Sequence, residues 1–343
     1  RFFKLKTSAG HGAHKREMEF IMDPFRKKDM KKSTPPSAFL RQNNYLKKAA
    51  AIAGVSLAVL LIVLKLAAFI KTDSLAIFSS LADSVTDLFA SAVSFAAVYF
   101  STKPATKEHR YGYGKSEALS AFLQAIFVGA SGIFVIADGI KRLIYPVQIE
   151  QTAIGIAVML FSILATVLLV LFQTYVANKT NSLAIKADRA HYTVDFLTNA
   201  TVVLSLLLVH FFGFAYFDVI AALFISAYLL YNAYQLAAES VEQITDKELA
   251  PEIREKITEI VRNSKGIHGM HDFRSRSLGD IYYFELHLEI DGSISLLKAH
   301  ELADAVEHKI LEAYPGSQVL IHQDPYGIHE DRLDHQIEGA CRI

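Results

Sequence analysis

Residues 74–100 read SLAIFSSLADSVTDLFASAVSFAAVYF, and Asp83 and Asp87 are the only charged residues in the run. A stretch this long and this apolar spans a bilayer as a helix. Four residues apart on a helix means one face, with Cβ atoms about 6 Å apart. An ionised Asp near the bilayer centre costs roughly 2.5–3.5 kcal/mol on insertion scales. Two on one stripe must be offset, and a bound cation is the simplest candidate.

The surrounding chain supports a membrane setting. Its 343 residues are 52% hydrophobic, with a mean hydropathy of +0.27, too apolar for an ordinary soluble protein of this size. The apolar residues concentrate between Ala49 and Ala238. Windows of about twenty apolar residues predict six spans: Ala49–Ile70, Ser74–Phe100, Leu119–Ile140, Thr152–Ala177, Ala190–Phe212 and Tyr216–Ala238. Gly, Ala and Ser are scattered through them, which suits close helix packing in lipid.

The loops orient the spans. Lys103, Lys107, Arg110 and Lys115 follow span two, and Lys179, Lys186 and Arg189 lie between spans four and five. The opposite side carries Lys71, with Lys141 and Arg142 against the trend. The positive-inside rule places both termini in the cytoplasm. Residues 1–43 predict a flexible basic arm, unlike a secretory signal; His11 and His14 in it are expected to be idle. Lys65 reads as a snorkelling or packing residue, and Asp138 and Asp218 as interfacial.

Beyond the spans the chain changes character, so 44–243 reads as a membrane domain and 244–325 as a small soluble one. Pro251–Asn263 is amphipathic, with Ile253, Ile257, Ile260 and Val261 on one face. Gly269–Ser277 and Asp280–Ile290 read as strands; in the second, Tyr283, Glu285, His287 and Glu289 alternate with Phe284, Leu286, Leu288 and Ile290. Leu296–Tyr314 predicts a second helix and Ser317–His322 a third strand, giving an αββαβ unit of the α+β class. Residues 326–343 read as a polar, mobile tail. The lone cysteine, Cys341, excludes an intramolecular disulfide framework and a multi-thiolate zinc site. Formal net charge is zero, so bulk charge points to no partner, and no nucleic acid is expected.

Span five supplies a second polar stripe, with His191 and Asp195 again four apart. Asp87 lies 13 residues from the inner end of span two, and Asp195 13 residues from Ser182, where helix five is expected to begin. Both are therefore about 20 Å deep, and the stripes can meet. Asp83, Asp87, His191 and Asp195 then form a tetrahedral set of three oxygens and one nitrogen. Zinc accepts that geometry, and Fe(II), Cd(II), Co(II) and Mn(II) are admitted too; Cu(I), which prefers sulfur, is not. With a divalent ion and a neutral His191 the site carries a charge of −1. Emptied, it gathers carboxylates beside low-dielectric walls, where burial and mutual repulsion favour protonation, and His191 is the group that titrates nearest neutrality. Metal and proton compete for the same groups, as antiport requires.

An enzyme is the first rival reading, but no H-E-x-x-H, G-x-S-x-G or Walker-type loop is present. Lack of the last also removes ATP-driven transport. A membrane protein that binds metal without moving it is the second rival, and residue patterns do not separate it from a transporter.

A series of ordered motifs carries a resemblance: A-D-S-x-x-D at 82–87, H-R-Y-G-Y-G-K-S-E at 109–117, A-D-x-x-H-Y-x-x-D at 187–195, H-D-F-R-S-R at 271–276, and H-L-E-I, K-A-H and I-H-Q-D-P between 287 and 325. From Asn44 to Pro325 the chain resembles the cation diffusion facilitator family, close to its bacterial zinc and ferrous-iron efflux branch. The resemblance implies a homodimeric, proton-coupled exporter of divalent transition metals, Zn2+ foremost with Fe2+ or Cd2+ as alternatives. It implies six spans in the bacterial inner membrane and a cytoplasmic metallochaperone-like domain. By motif, Asp83, Asp87, His191 and Asp195 are the transport site. The resemblance adds a cytoplasmic binuclear site, with His271, His287 and Asp324 on one ion, His300 and His322 on a second, and Asp324 bridging. His268, His308, His329 and His335 match nothing and are expected to be solvated. A loop site between spans two and three departs from the family pattern: His109 is kept, but Tyr113 and Thr106 replace a His and an Asp, so a weak or absent site is expected. Lys115 and Asp246 match a charge pair joining spans to soluble domain.

Overall fold

The structure, a computed structural model, describes residues 36–72, 75–144, 153–212, 217–328 and 332–336. His11, His14, His329 and Cys341 lie outside them, as do the side chains of Asp138 and Asp218. Six long helices come first: α1 (Pro36–Thr72), α2 (Leu75–Ser101), α3 (Lys115–Ile144), α4 (Ala153–Thr180), α5 (Leu183–Phe212) and α6 (Phe217–Ile244). Among the described residues four contain stretches long and apolar enough to cross a membrane: Leu40–Thr72, Ser80–Ser101, Lys115–Ala137 and Ala157–Thr180.

Helix α1 begins at Pro36, where a proline's fixed φ and missing N–H suit a first turn. Residues 36–43, expected in a flexible arm, are its first two turns.

The bundle is apolar outside and partly polar within. Phe89, Phe134, Phe224 and Leu168 are exposed, while Ser84, Ser91, Ser94, Gln124, Gln173 and Asp188 are buried. Small side chains bring the backbones together. Ala50, Ala51, Ala97, Ala177 and Ala184 share one packed cluster, and Ala118, Ala121, Ala125 and Ala187 another. This is how helices associate where the solvent is hydrocarbon. Helix α3 packs along α6, α1 lies against α2 and α4, and α2 meets α5, so the two acid-bearing helices are neighbours.

The C-terminal unit comprises α7 (Pro251–Arg262), β1 (Ile267–Leu278), β2 (Ile281–Ile290), α8 (Leu296–Ala313) and β3 (Gln318–Pro325). Pro251 opens α7, and the Ser295 side chain caps α8 by accepting from the Lys298 N–H at 3.3 Å. The sheet order is β1-β2-β3, with β1 antiparallel and β3 parallel to β2. Ile257 and Val261 from α7 and Ala303, Val306 and Ile310 from α8 pack with Phe284, Leu286 and Leu288 of β2 in one core. Strand alternation turns His287 and Glu289 to the other face.

The tail is not wholly free. Leu333–His335 form a short 3-10 turn docked on β1, where the Asp272 N–H donates to Asp334 Oδ2 and the Asp334 N–H to Asp272 Oδ1, each at 2.8 Å. The expectation of a mobile tail therefore fails at 332–336, because reciprocal backbone N–H to carboxylate bonds tie Asp334 to Asp272 in a strand irregularity.

Candidate metal centres

Helices α2 and α5 bring Asp87, His191 and Asp195 together, one ligand atom from each within 4.8 Å of the others. His191 Nε2 is 3.0 Å from Asp87 Oδ1 and 3.9 Å from Asp195 Oδ2. Asp87 and His191 are buried. Asp195 Oδ2 is shielded from solvent with no hydrogen-bond partner, and a buried oxygen in that state calls for a ligand. Asp83, one turn away on α2, is exposed and stands outside this trio.

A buried polar layer lies one turn nearer the Ser101 end of α2. Asp188 accepts from Ser91 Oγ at 2.9 Å and from Gln173 Nε2 at 2.6 Å. The Tyr192 hydroxyl is 2.9 Å from both the Gly54 carbonyl and Ser91 Oγ. A Cβ on Gly54 would sit 2.7 Å from Asp188 Oδ2, so only glycine lets α1 approach here.

Of the two roles expected for Lys65, snorkelling or packing, its burial excludes the first. Its Nζ donates to the Ser80 carbonyl at 3.0 Å and to Ser84 Oγ at 2.6 Å. Ser84 lies between Asp83 and Asp87, and Lys65 is in electrostatic reach of Asp87, Asp195 and Asp83. Sequence reasoning singled out this lone lysine in an apolar run but not its closeness to the carboxylates.

The C-terminal sheet holds a second cluster. Register pairs His271 with His287, and His287 with His322, making one row of imidazoles across three strands. His271, His287 and Asp324 offer ligand atoms within 4.8 Å of one another. Asp324 Oδ2 is 2.8 Å from His287 Nδ1 and 3.4 Å from His271 Nε2, while its Oδ1 is 3.0 Å from His322 Nε2. Two oxygens of one carboxylate thus face different histidines, as a bridging ligand must. His300 stands apart on α8, its Nε2 3.6 Å from Asp304.

In the loop after α2, the Thr106 hydroxyl is 3.3 Å from that of Tyr113, and His109 stacks on Tyr113 at 4.5 Å. The three positions converge, but with one imidazole among two hydroxyls. Beside them Lys115 Nζ reaches Asp246 Oδ2 and the Ile244 carbonyl, each at 3.0 Å. Arg276 adds a contact to Asp246 at 3.5 Å and covers the Tyr111 and Tyr283 rings. Burial pushes the Tyr283 phenol up, so it stays neutral here. His268 stacks on Tyr326, and His308 bonds its own helix at the Asp304 carbonyl.

The family described as cation efflux transmembrane domain matches residues 51–245. The cation efflux protein cytoplasmic domain family matches residues 249–326. The chain belongs to the cation efflux, or cation diffusion facilitator, family. Members of this family are transporters rather than enzymes, and this cation efflux protein is a membrane-embedded one. It is 39% identical over 281 residues to the cation-efflux pump FieF of Yersinia pestis (strain Pestoides F), covering 82% of this chain and 93% of the relative. FieF of Yersinia pseudotuberculosis serotype IB (strain PB1/+) matches with the same identity and coverage. Among solved structures, the metal-bound C-terminal domain of the CzcD transporter from Thermotoga maritima aligns at 29% identity and a TM-score of 0.22, covering 23% of this chain and 93% of that one. The Zn form of CzrB aligns at 32% identity and a TM-score of 0.22, covering 25% and 99%.

Proposed function

We propose that this cation efflux protein is a proton-coupled antiporter that exports divalent transition-metal ions, Zn2+ foremost. It works as a homodimer with six spans in a bacterial inner membrane, both termini in the cytoplasm. The observation that carries the reading is the close-set Asp87–His191–Asp195 trio, with an Asp195 oxygen that has no hydrogen-bond partner among the described residues. Hard oxygens and one borderline nitrogen suit zinc, and also Fe2+ and Cd2+.

In this reading Asp83 turns in from one helical turn away as the fourth ligand. The trio accepts either a metal ion or protons, since each occupant neutralises the same carboxylates. Alternating exposure to the two sides then exchanges one for the other. Asp188, Gln173, Ser91 and Tyr192 hold α1, α2, α4 and α5 in register around the site, so Asp87 and His191 keep their spacing.

His271, His287, His322 and Asp324 hold cytoplasmic ions, and the donor set fits: neutral imidazoles and a carboxylate whose two oxygens meet different histidines. His300 joins His322 and Asp324 on the second ion. Bound metal there cross-links the three strands and steadies the domain through which the dimer forms. The loop at His109 binds weakly or not at all.

Proteoliposomes test the transport reading. An imposed Zn2+ gradient should drive proton movement, and Asp87→Ala should abolish both fluxes while the protein stays folded. Zinc binding without zinc flux would reduce the protein to a metal-binding membrane protein. Competition among Zn2+, Fe2+, Cd2+ and Mn2+ in the same vesicles ranks the substrates.

A further inference from the structure

We propose that the C-terminal segment 332–336 is a strap that sets the affinity of the cytoplasmic metal site, acting through Arg332 on Glu289 and Asp334 on Asp272. The inference rests on the reading of His271, His287 and Asp324 as an ion site. It begins with the two nitrogens of His271. Nε2 faces Asp324 Oδ2 at 3.4 Å, the same oxygen that His287 Nδ1 meets at 2.8 Å, so this edge of the ring is the ion's side. Nδ1 faces away, 3.3 Å from Glu289 Oε1. One imidazole cannot ligate a single ion through both nitrogens. Glu289 therefore stands as the outer carboxylate behind His271, close enough to Nδ1 to bias the turn of the ring by charge, although no hydrogen bond joins the two.

Glu289 is held in turn by the tail. The oxygen that faces His271 lies 2.6 Å from Arg332 Nη2. Register also sets Glu289 opposite Asp324 on β3, and like charges directly opposite repel. Arg332 removes that conflict by neutralising Glu289, leaving Asp324 as the anion available to metal. The strap is anchored independently of this contact. The reciprocal bonds between Asp334 and Asp272, 2.8 Å each, close a ring on the residue that follows His271. Asp272 has φ +49° in the β1 irregularity between His271 and Arg274. Asp334 is buried. The tail thus grips the backbone beside His271 and the carboxylate behind it. The cytoplasmic-domain family ends its match at residue 326, so the strap is an addition to the matched domain.

The test uses the full chain in an Asp87→Ala background, so that zinc titration against a chromophoric chelator reports the cytoplasmic ions. Arg332→Ala, Asp334→Ala and deletion from residue 332 onward should each weaken zinc by about 10- to 100-fold, the range for losing an outer partner of a ligating histidine. Arg332→Lys should recover part of the loss. Cobalt absorption should keep its tetrahedral bands in Arg332→Ala, because the ligand set is intact, and His287→Ala should lose one ion outright. If His287→Ala loses its ion while Arg332→Ala and the deletion bind zinc as tightly as the parent, the strap is wrong and the site stands. If His287→Ala loses no ion, the site and the strap fall together.

Discussion

At the residue scale, the acid cluster is defined as much by Lys65 as by its carboxylates. An amine anchored on Ser80 and Ser84 places a positive charge near the site proposed to take a divalent ion. Lys65→Met removes that repulsion. Even at an effective dielectric constant of about 20 a nearby unit charge is worth on the order of 2 kcal/mol. The variant should therefore bind zinc at least roughly tenfold more tightly at the membrane site and release it more slowly, read by equilibrium titration and by vesicle flux. Unchanged affinity would mean that Lys65 only packs. The Asp and His members were legible because helical spacing alone sets them on stripes. Lys65 was not, because its target lies on another helix and depends on how α1 turns against α2.

At the element scale, the decisive join is the β1–β2 turn against the bundle. Lys47, buried on α1, lies 3.0 Å from Glu117 of α3 and 3.2 Å from Asp280 of the turn. Asn43 also donates to Asp280, at 3.3 Å, and Ser101 to Glu117, at 2.7 Å. Removing one partner of a buried pair strands the other, typically at about 3–5 kcal/mol. Glu117→Ala should accordingly cause a large drop in the thermal midpoint in detergent. Glu117→Leu with Lys47→Leu should recover most of it. The element order αββαβ was legible from strand alternation and helix amphipathicity. The histidine row was legible only through the family resemblance, because cross-strand register depends on the irregularities after Ile267 and His271, which residue patterns do not announce. The start of α1 was missed for a related reason: two prolines and a basic run read as disorder, yet Leu40 packs over Gly316, and that contact comes from the other domain.

At the scale of the whole molecule, the two domains meet through contacts of unequal kind. The Lys115–Asp246 pair is partly exposed on both sides, so by itself it is worth about 0–1 kcal/mol. Gly114 is tighter: a Cβ there would lie 2.7 Å from the Leu278 carbonyl. Lys115→Gln should therefore leave the thermal midpoint within a degree or two while broadening the distance between spin labels on α3 and α7. Gly114→Val should shift that distance outright. Identical distributions in all three proteins would show that the hinge is held elsewhere, at Lys47 and Asp280. Hydropathy changes abruptly after α6; of the interface, the Lys115–Asp246 pair was legible only through the family resemblance, and the Lys47–Asp280 contact was not, since each residue reads alone as an ordinary charge.

Helix α1 links these scales. Lys47 and Lys65 are 18 residues apart on it, five turns at 3.6 residues each, so they project from the same side of one shaft about 27 Å apart. No proline interrupts the shaft between them. The contact with the soluble domain at Asp280 and the amine beside the carboxylates thus lie on one side of one helix, so a rotation of α1 as a rigid body would turn both together.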